Sequence, residues 1–178
     1  MKTAIFTIIC MFLFLPSFGQ EPETKSEKFH KNIYLEGLGS SIIAGINYDM
    51  RLQKGHMDGL GFRAGVGLAP LSSGSKIITV PLEVNYLLGK KQSSLVSGIG
   101  ILPFYGSFRN QKTTDNFGGF QIKGDTGGVA LAGVYLVLGY RFQPMNNGLM
   151  FQVNWNPMIS GSAFNAKWFG VSIGYGFK

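Results

Sequence analysis

Six charged residues sit inside runs that otherwise alternate apolar residues with small ones: Glu36, Asp49, Arg51, Arg63, Glu83 and Arg141. Each takes the parity of the small residues, so a strand would turn it away from the apolar face. Three are carboxylates and three are arginines. A lone charge in a confined interior is costly, and the arginine fork bonds a carboxylate bidentately, so pairing is expected. The chemistry this implies is a structural ion network that plugs an interior. A gated polar path for solutes would draw on the same residues. Acid–base catalysis is the third use of such carboxylates, and nothing around them adds a nucleophile and base in a recognisable arrangement.

The other chemistry-bearing residues are sparse. His30 lies in the polar stretch QEPETKSEKFHK, and His56 and Asp58 lie in the turn QKGHMDG. One His and one Asp in a turn are a weak metal signal and read as solvated. Cys10 is the one cysteine. The glycines follow strand parity and do not mark a strand-to-helix junction, so no phosphate-binding loop is present. No catalytic residue, metal site or cofactor is assigned.

The elements that must position these charges are strands. Glycine supplies 26 of 178 residues, aromatics 13% and charged residues only 14%. That composition excludes a disordered chain, a coiled coil and an ordinary cytosolic enzyme. At the start, Met1 and Lys2 precede an apolar run from Ile5 to Leu15 and a small-residue exit, PSFG. This reads as a secretory signal peptide over residues 1–19, cleaved after Gly19. Ile9 before Cys10 is too large for a lipoprotein signal. Residues 20–31 read as a flexible tail.

From residue 32 onward the chain alternates with period two. Phe169, Val171, Ile173, Tyr175 and Phe177 oppose Gly170, Ser172, Gly174 and Gly176, and similar splits recur along the chain. The pattern predicts eight strands, over residues 32–39, 44–52, 60–69, 76–88, 93–108, 127–142, 149–159 and 167–178. Turn formers mark the short connections at 53–59, 89–92 and 143–148, and residues 109–126 form one long polar connection. Pro81 and Pro103 fall inside strands, where local bulges are expected. The expected fold class is all-β, an eight-stranded antiparallel up-and-down transmembrane β-barrel.

Alternation alone does not separate a soluble barrel from a membrane one. A water-facing surface would carry many Lys, Glu and Thr; here the small face is Gly, Ser and Asn, and the lysines cluster in turns and strand ends. A narrow interior suits that face, which puts the apolar face, with aromatics near strand ends, against lipid. A helical membrane protein is excluded, because the charge-free, largely apolar stretch at residues 92–108 is too short and contains Gly98, Gly100, Pro103 and Gly106.

With the signal segment, the eight alternating runs and the terminal WFGVSIGYGFK, residues 32–178 resemble small outer-membrane β-barrels of the OmpA/OmpX-like class. The resemblance implies residence in a Gram-negative outer membrane. It also implies recognition of the last strand by the barrel-assembly machinery, with Phe177 as the terminal aromatic and Lys178 a departure after it. It fixes no activity. The topology puts Lys76, Arg109, Lys112, Lys123 and Lys167 at the outer rim, where lipopolysaccharide phosphates are the natural counter-ions. The expected protein is non-enzymatic and monomeric, contacts membrane lipid and not nucleic acid, and serves the envelope structurally or through its surface. A narrow porin-like channel is the alternative and a lipid-modifying enzyme the more distant one.

Overall fold

The computed structural model describes residues 28–70, 76–89, 91–107, 115–117, 120–122, 128–160 and 163–178. The expected signal segment, with Cys10, lies outside the described residues. The strands are β1 (Lys31–Leu38), β2 (Ala44–Arg51), β3 (Gly59–Pro70), β4 (Lys76–Thr79), β5 (Leu82–Leu88), β6 (Ser93–Ser107), β7 (Asp115–Phe117), β8 (Phe120–Ile122), β9 (Gly128–Phe142), β10 (Gly148–Trp155), β11 (Met158–Ser160), β12 (Ala163–Asn165) and β13 (Phe169–Phe177). A three-residue 3-10 turn, Gly39–Ser41, follows β1.

Eight staves close into a ring. In chain order they are β1, β2, β3, the pair β4 and β5, β6, β9, the pair β10 and β11, and β13. Each pairs antiparallel with the next, and β13 pairs with β1 from Lys31 opposite Phe177 to Leu38 opposite Gly170. The fold is therefore a closed, eight-stranded, antiparallel up-and-down barrel. Strands β7 and β8 form a separate hairpin within the long connection, and β12 pairs with β11 beyond the ring.

The register fixes the barrel's shape. From Leu149 it runs through Tyr175, Ile33, Tyr48, Ala64, Leu82, Ile101 and Val134, and returns to the starting stave at Ile159. One circuit thus climbs ten residues, from 149 to 159. With ordinary strand spacings, that stagger over eight strands gives a tilt of about 40°.

Alternation then sorts the side chains. Outward positions carry Ile33, Leu35, Ile46, Val66, Val84, Ile99, Leu136, Val153 and Ile173, all exposed. Inward positions carry Asn32, Glu36, Asn47, Asp49, Arg51, Arg63, Glu83, Asn85, Arg141, Gln152 and Ser172, all buried. Among the described residues thirty-eight large hydrophobics are exposed and ten are buried, so the polarity of a water-soluble barrel is inverted. Outward aromatics form two belts. Tyr48, Tyr86, Tyr140 and Tyr175 lie three residues or fewer from the short-turn end of their strands, and Tyr105, Trp155 and Phe169 lie toward the long-loop end. From Tyr140 to Leu131 on β9, nine residues at that tilt rise roughly 23 Å, close to the apolar band of a membrane barrel.

The two prolines behave differently. Pro103 coincides with a register shift between β6 and β9 at Ile101/Pro103, a true irregularity. Pro81 only interrupts its stave, because β4 and β5 keep one common register against β3. Its carbonyl still accepts from the Gly65 N–H at 3.0 Å, and the Pro103 carbonyl accepts from Val80 at 2.8 Å. A missing donor in the lattice is thus absorbed at Pro81 without the extra residue that a bulge needs.

The expected tail also ends earlier than its polarity implied. Lys31 already belongs to β1. The His30 carbonyl accepts from the Arg51 N–H at 2.9 Å, and the Lys28 carbonyl accepts from Gly55 at 3.0 Å. Backbone pairing across the barrel mouth, not side-chain hydropathy, recruits these residues. His30 itself is buried, a correction to its reading as part of a flexible tail.

Candidate functional site: the lumen and its ion network

Six charged side chains converge in the lumen, each no more than 2% exposed: Glu36, Asp49, Arg51, Arg63, Glu83 and Arg141. They come from β1, β2, β3, β5 and β9, and the inward parity of each strand places them. They form two groups. Toward the short-turn end Asp49 takes two arginines, with Arg51 at 2.6 Å and Arg141 at 2.8 Å. Toward the long-loop end one arginine serves two acids, Arg63 meeting Glu36 at 2.6 Å and Glu83 at 3.0 Å. The Arg63 guanidinium also lies over the Tyr34 ring, 5.4 Å from its centroid.

Asn85 joins the two groups. Its amide donates to Asp49 at 2.9 Å and to Glu83 at 3.0 Å, and its carbonyl oxygen accepts from Arg51 at 2.5 Å. Asn47 accepts from Arg63 Nε at 3.1 Å, and Gln152 accepts from Arg141 Nε at 2.5 Å. The Tyr135 hydroxyl donates to Glu83 at 3.4 Å. Charges balance across the whole network, three against three, but not within each group: the turn end carries one excess positive charge and the loop end one excess negative charge. Asn47, Asn85, Tyr135 and Gln152 are network members that sequence reasoning passed over. Their signal was parity: Asn47, Asn85 and Tyr135 share a strand face with a charged residue, and Gln152 opposes Phe151 and Val153 on its strand.

The β1–β2 connection contributes from above. Gly39, Ser40 and Ser41 fold into the lumen and are buried. Glu36 Oε2 accepts from Ser40 Oγ at 3.1 Å, from the Ser41 N–H at 3.0 Å and from Ser41 Oγ at 2.7 Å. Trp168 Nε1 donates to the Gly39 carbonyl. Apolar side chains pack around this cap, including Ile42, Ile77, Leu102 and Met158, with Phe104 and Trp168 against them.

The glycines of the inward face are seats for these groups. A Cβ at Gly61 would strike the Arg51 guanidinium, one at Gly65 the Asn47 carbonyl oxygen, one at Gly100 the Tyr135 ring, and one at Gly139 the Asn154 side chain. The interior is filled by its own side chains, as an eight-stranded barrel requires.

At the short-turn mouth His30 is 3% exposed. Burial, and after it the positive charges of Lys178, His56 and Arg51, push its pKa down to about 4. His56 Nδ1 lies 3.4 Å from Asp58 Oδ1, and both are partly exposed. Among the described residues no group of three or more His, Cys, Asp or Glu could hold a metal ion. Of the basic rim residues, Lys167 is exposed beside β12, and Lys76 opens β4 at the long-loop end. Arg109, Lys112 and Lys123 lie outside the described residues.

No protein-family model matches the chain, and no curated protein matches it. Among solved structures, the crystal structure of the N-terminal β-barrel domain of Pseudomonas aeruginosa OprF is similar to it with a TM-score of 0.48 and 10% sequence identity, over 86% of this chain and 100% of that one.

Proposed function

We propose that this chain is a non-enzymatic outer-membrane β-barrel protein whose lumen is closed by an ion network, and that it serves the envelope structurally or through its surface loops. The observation that supports this is the inversion of polarity. A continuous apolar outer face of barrel strands, belted by aromatics, surrounds an interior that holds six paired charges. Exposed to water, such an outer face would drive aggregation; in hydrocarbon it is the favourable surface, and the closed ring leaves no stave with an unpaired edge.

The filled lumen favours this reading over a narrow channel, because Arg63, Glu83, Asn85 and Arg141 occupy the path a solute would take. In this proposal the basic rim, Lys76, Arg109, Lys112, Lys123 and Lys167, meets lipopolysaccharide phosphates. The strand β13, ending at Phe177, is the element read by the barrel-assembly machinery.

The test is to refold the chain into detergent, verify a heat-modifiable folded band, and record conductance in a planar bilayer. The expected result is a folded barrel without steady conductance. Reproducible channel currents from verified barrels would overturn the closed-lumen reading, and a chain that stays soluble and folded without detergent would overturn membrane residence.

A further inference from the structure

The connection between β1 and β2 is held in a conformation that its own residues resist. Leu38 has φ 62° and ψ −147°, a region used almost only by glycine. Ile42 has φ 71° and ψ −78°, and the Ile43 N–H donates to the Ser41 carbonyl at 3.1 Å. That is a γ-turn of the rare positive-φ kind, centred on a β-branched residue. Among the described residues no other non-glycine residue has positive φ.

These two positions flank the buried segment. Between them the loop is already a two-residue hairpin turn in the register of β1 and β2. Gly37 lies opposite Ala44, the Leu38 N–H donates to the Ile43 carbonyl at 2.8 Å, and the Ile42 N–H donates to the Gly39 carbonyl at 3.0 Å. Ser40 and Ser41 are the central residues. Rotating Leu38 and Ile42 back to negative φ would stand the same hairpin upright without shifting any strand by a residue. Two states that share one register and differ at two hinge residues make a bistable element.

The inward state has a built seat. A Cβ at Gly45 would overlap the Ser41 side chain, one at Gly67 would meet the Ser41 carbonyl at 2.6 Å, and one at Gly39 would lie 2.9 Å from the Gly170 Cα. Three staves thus give up side-chain volume to admit the loop. Its fastening is Glu36, whose Oε2 collects Ser40, Ser41 and Arg63 together. Its other oxygen, Oε1, is buried without a hydrogen-bond partner.

We propose that residues 38–42 are a strained plug, latched into the long-loop mouth of the lumen by Glu36 and released by rotation at Leu38 and Ile42. Upright, the loop leaves Glu36 and Arg63 facing the space bounded by Gly45, Gly67 and Gly170, and the closed barrel acquires a charged vestibule at that mouth. The inference rests on the closed fold and not on where the barrel resides.

Thiol accessibility tests it. In a full chain carrying Cys10→Ser and Ser40→Cys, refolded in detergent and checked by heat-modifiable migration, a charged thiol reagent should label Cys slowly. Adding Glu36→Gln should raise the labelling rate about tenfold or more, because hydrogen bonds to a charged acceptor are lost. Gly45→Ala, which fills the seat while keeping the carboxylate, should raise it similarly. Leu38→Gly, which removes the strain without touching the latch, should lower it about threefold or more. Fast labelling in the starting barrel, or rates that do not move in those variants that fold, would overturn the plug. Leu38→Gly decides the matter if the other two fail to fold.

Discussion

Arg63 reaches across the lumen from β3 and donates to Glu36 on β1 at 2.6 Å, while the same guanidinium holds Glu83. One cation therefore stands between two buried carboxylates. Arg63→Met should destabilise the barrel by about 3–5 kcal/mol, because two acids lose their partner at once. Arg141→Met should cost less, since Asp49 keeps Arg51 at 2.6 Å. Urea unfolding of the refolded barrel, followed by tryptophan fluorescence, measures both. Equal losses would show that the two groups of charges are not energetically distinct.

Asn85 links those groups, so its loss should uncouple them. Asn85→Leu keeps the branched shape and leaves Asp49, Glu83 and Arg51 each short of one hydrogen bond. A loss of roughly 1–3 kcal/mol is expected. A double-mutant cycle with Arg63→Met should give a non-additive term above about 0.5 kcal/mol. Simple additivity would mean that Asn85 is only a filler.

Glycines on the two faces should respond with opposite sign. Gly37 points outward and a Cβ there would have its nearest contact at 3.9 Å, from the Val171 carbonyl. Gly37→Ala should be neutral or stabilising by about 0.4–1 kcal/mol, because it restricts the unfolded chain. At Gly174 a Cβ would overlap the Ile33 carbonyl and Tyr34, so Gly174→Ala should cost about 1–3 kcal/mol. Comparing the two unfolding midpoints checks the assignment of faces without touching any charge.

His30 gives the barrel a pH dependence. Its pKa is about 4 in the folded state and near 6.5 when the chain unfolds. Between those values the unfolded chain binds the extra proton, so stability is fully present above pH 6.5 and falls as the pH drops toward 4. Unfolding midpoints at pH 7.5 and pH 4.5 should therefore differ more for the native chain than for His30→Gln. An unchanged difference would place the acid sensitivity elsewhere.

The strands were legible in the sequence because one physical constraint, period-two alternation, acts on every residue of them. Their ends fell within one or two residues of the observed bounds for β2, β3, β6 and β9. The face that each charge occupies was legible for the same reason. The partner that each charge meets was not. Arg141 finds Asp49 from 92 residues away through a climb of ten residues per circuit, and no local pattern encodes that climb. Nor was the inward plug legible. Ser40 and Ser41 look like any polar turn, and only the seats at Gly45, Gly67 and Gly170 reveal where they go. The Pro81 break was read as a bulge because sequence shows the missing donor but not whether the partner strand keeps count.

The ten-residue climb also sets what this chain can tolerate as it diverges. Substitutions that keep the size and polarity of a face leave every pairing around the ring intact. Inserting or deleting a single residue within a stave would turn its remaining length inside out, sending arginine or glutamate outward and valine into the lumen. Length changes are therefore absorbable at the connections, at a bulge such as the one at Ile101/Pro103, or in even steps that re-index all the neighbours. Lineages of such a barrel would be expected to vary freely in letters and loop length while keeping an unbroken count along each strand.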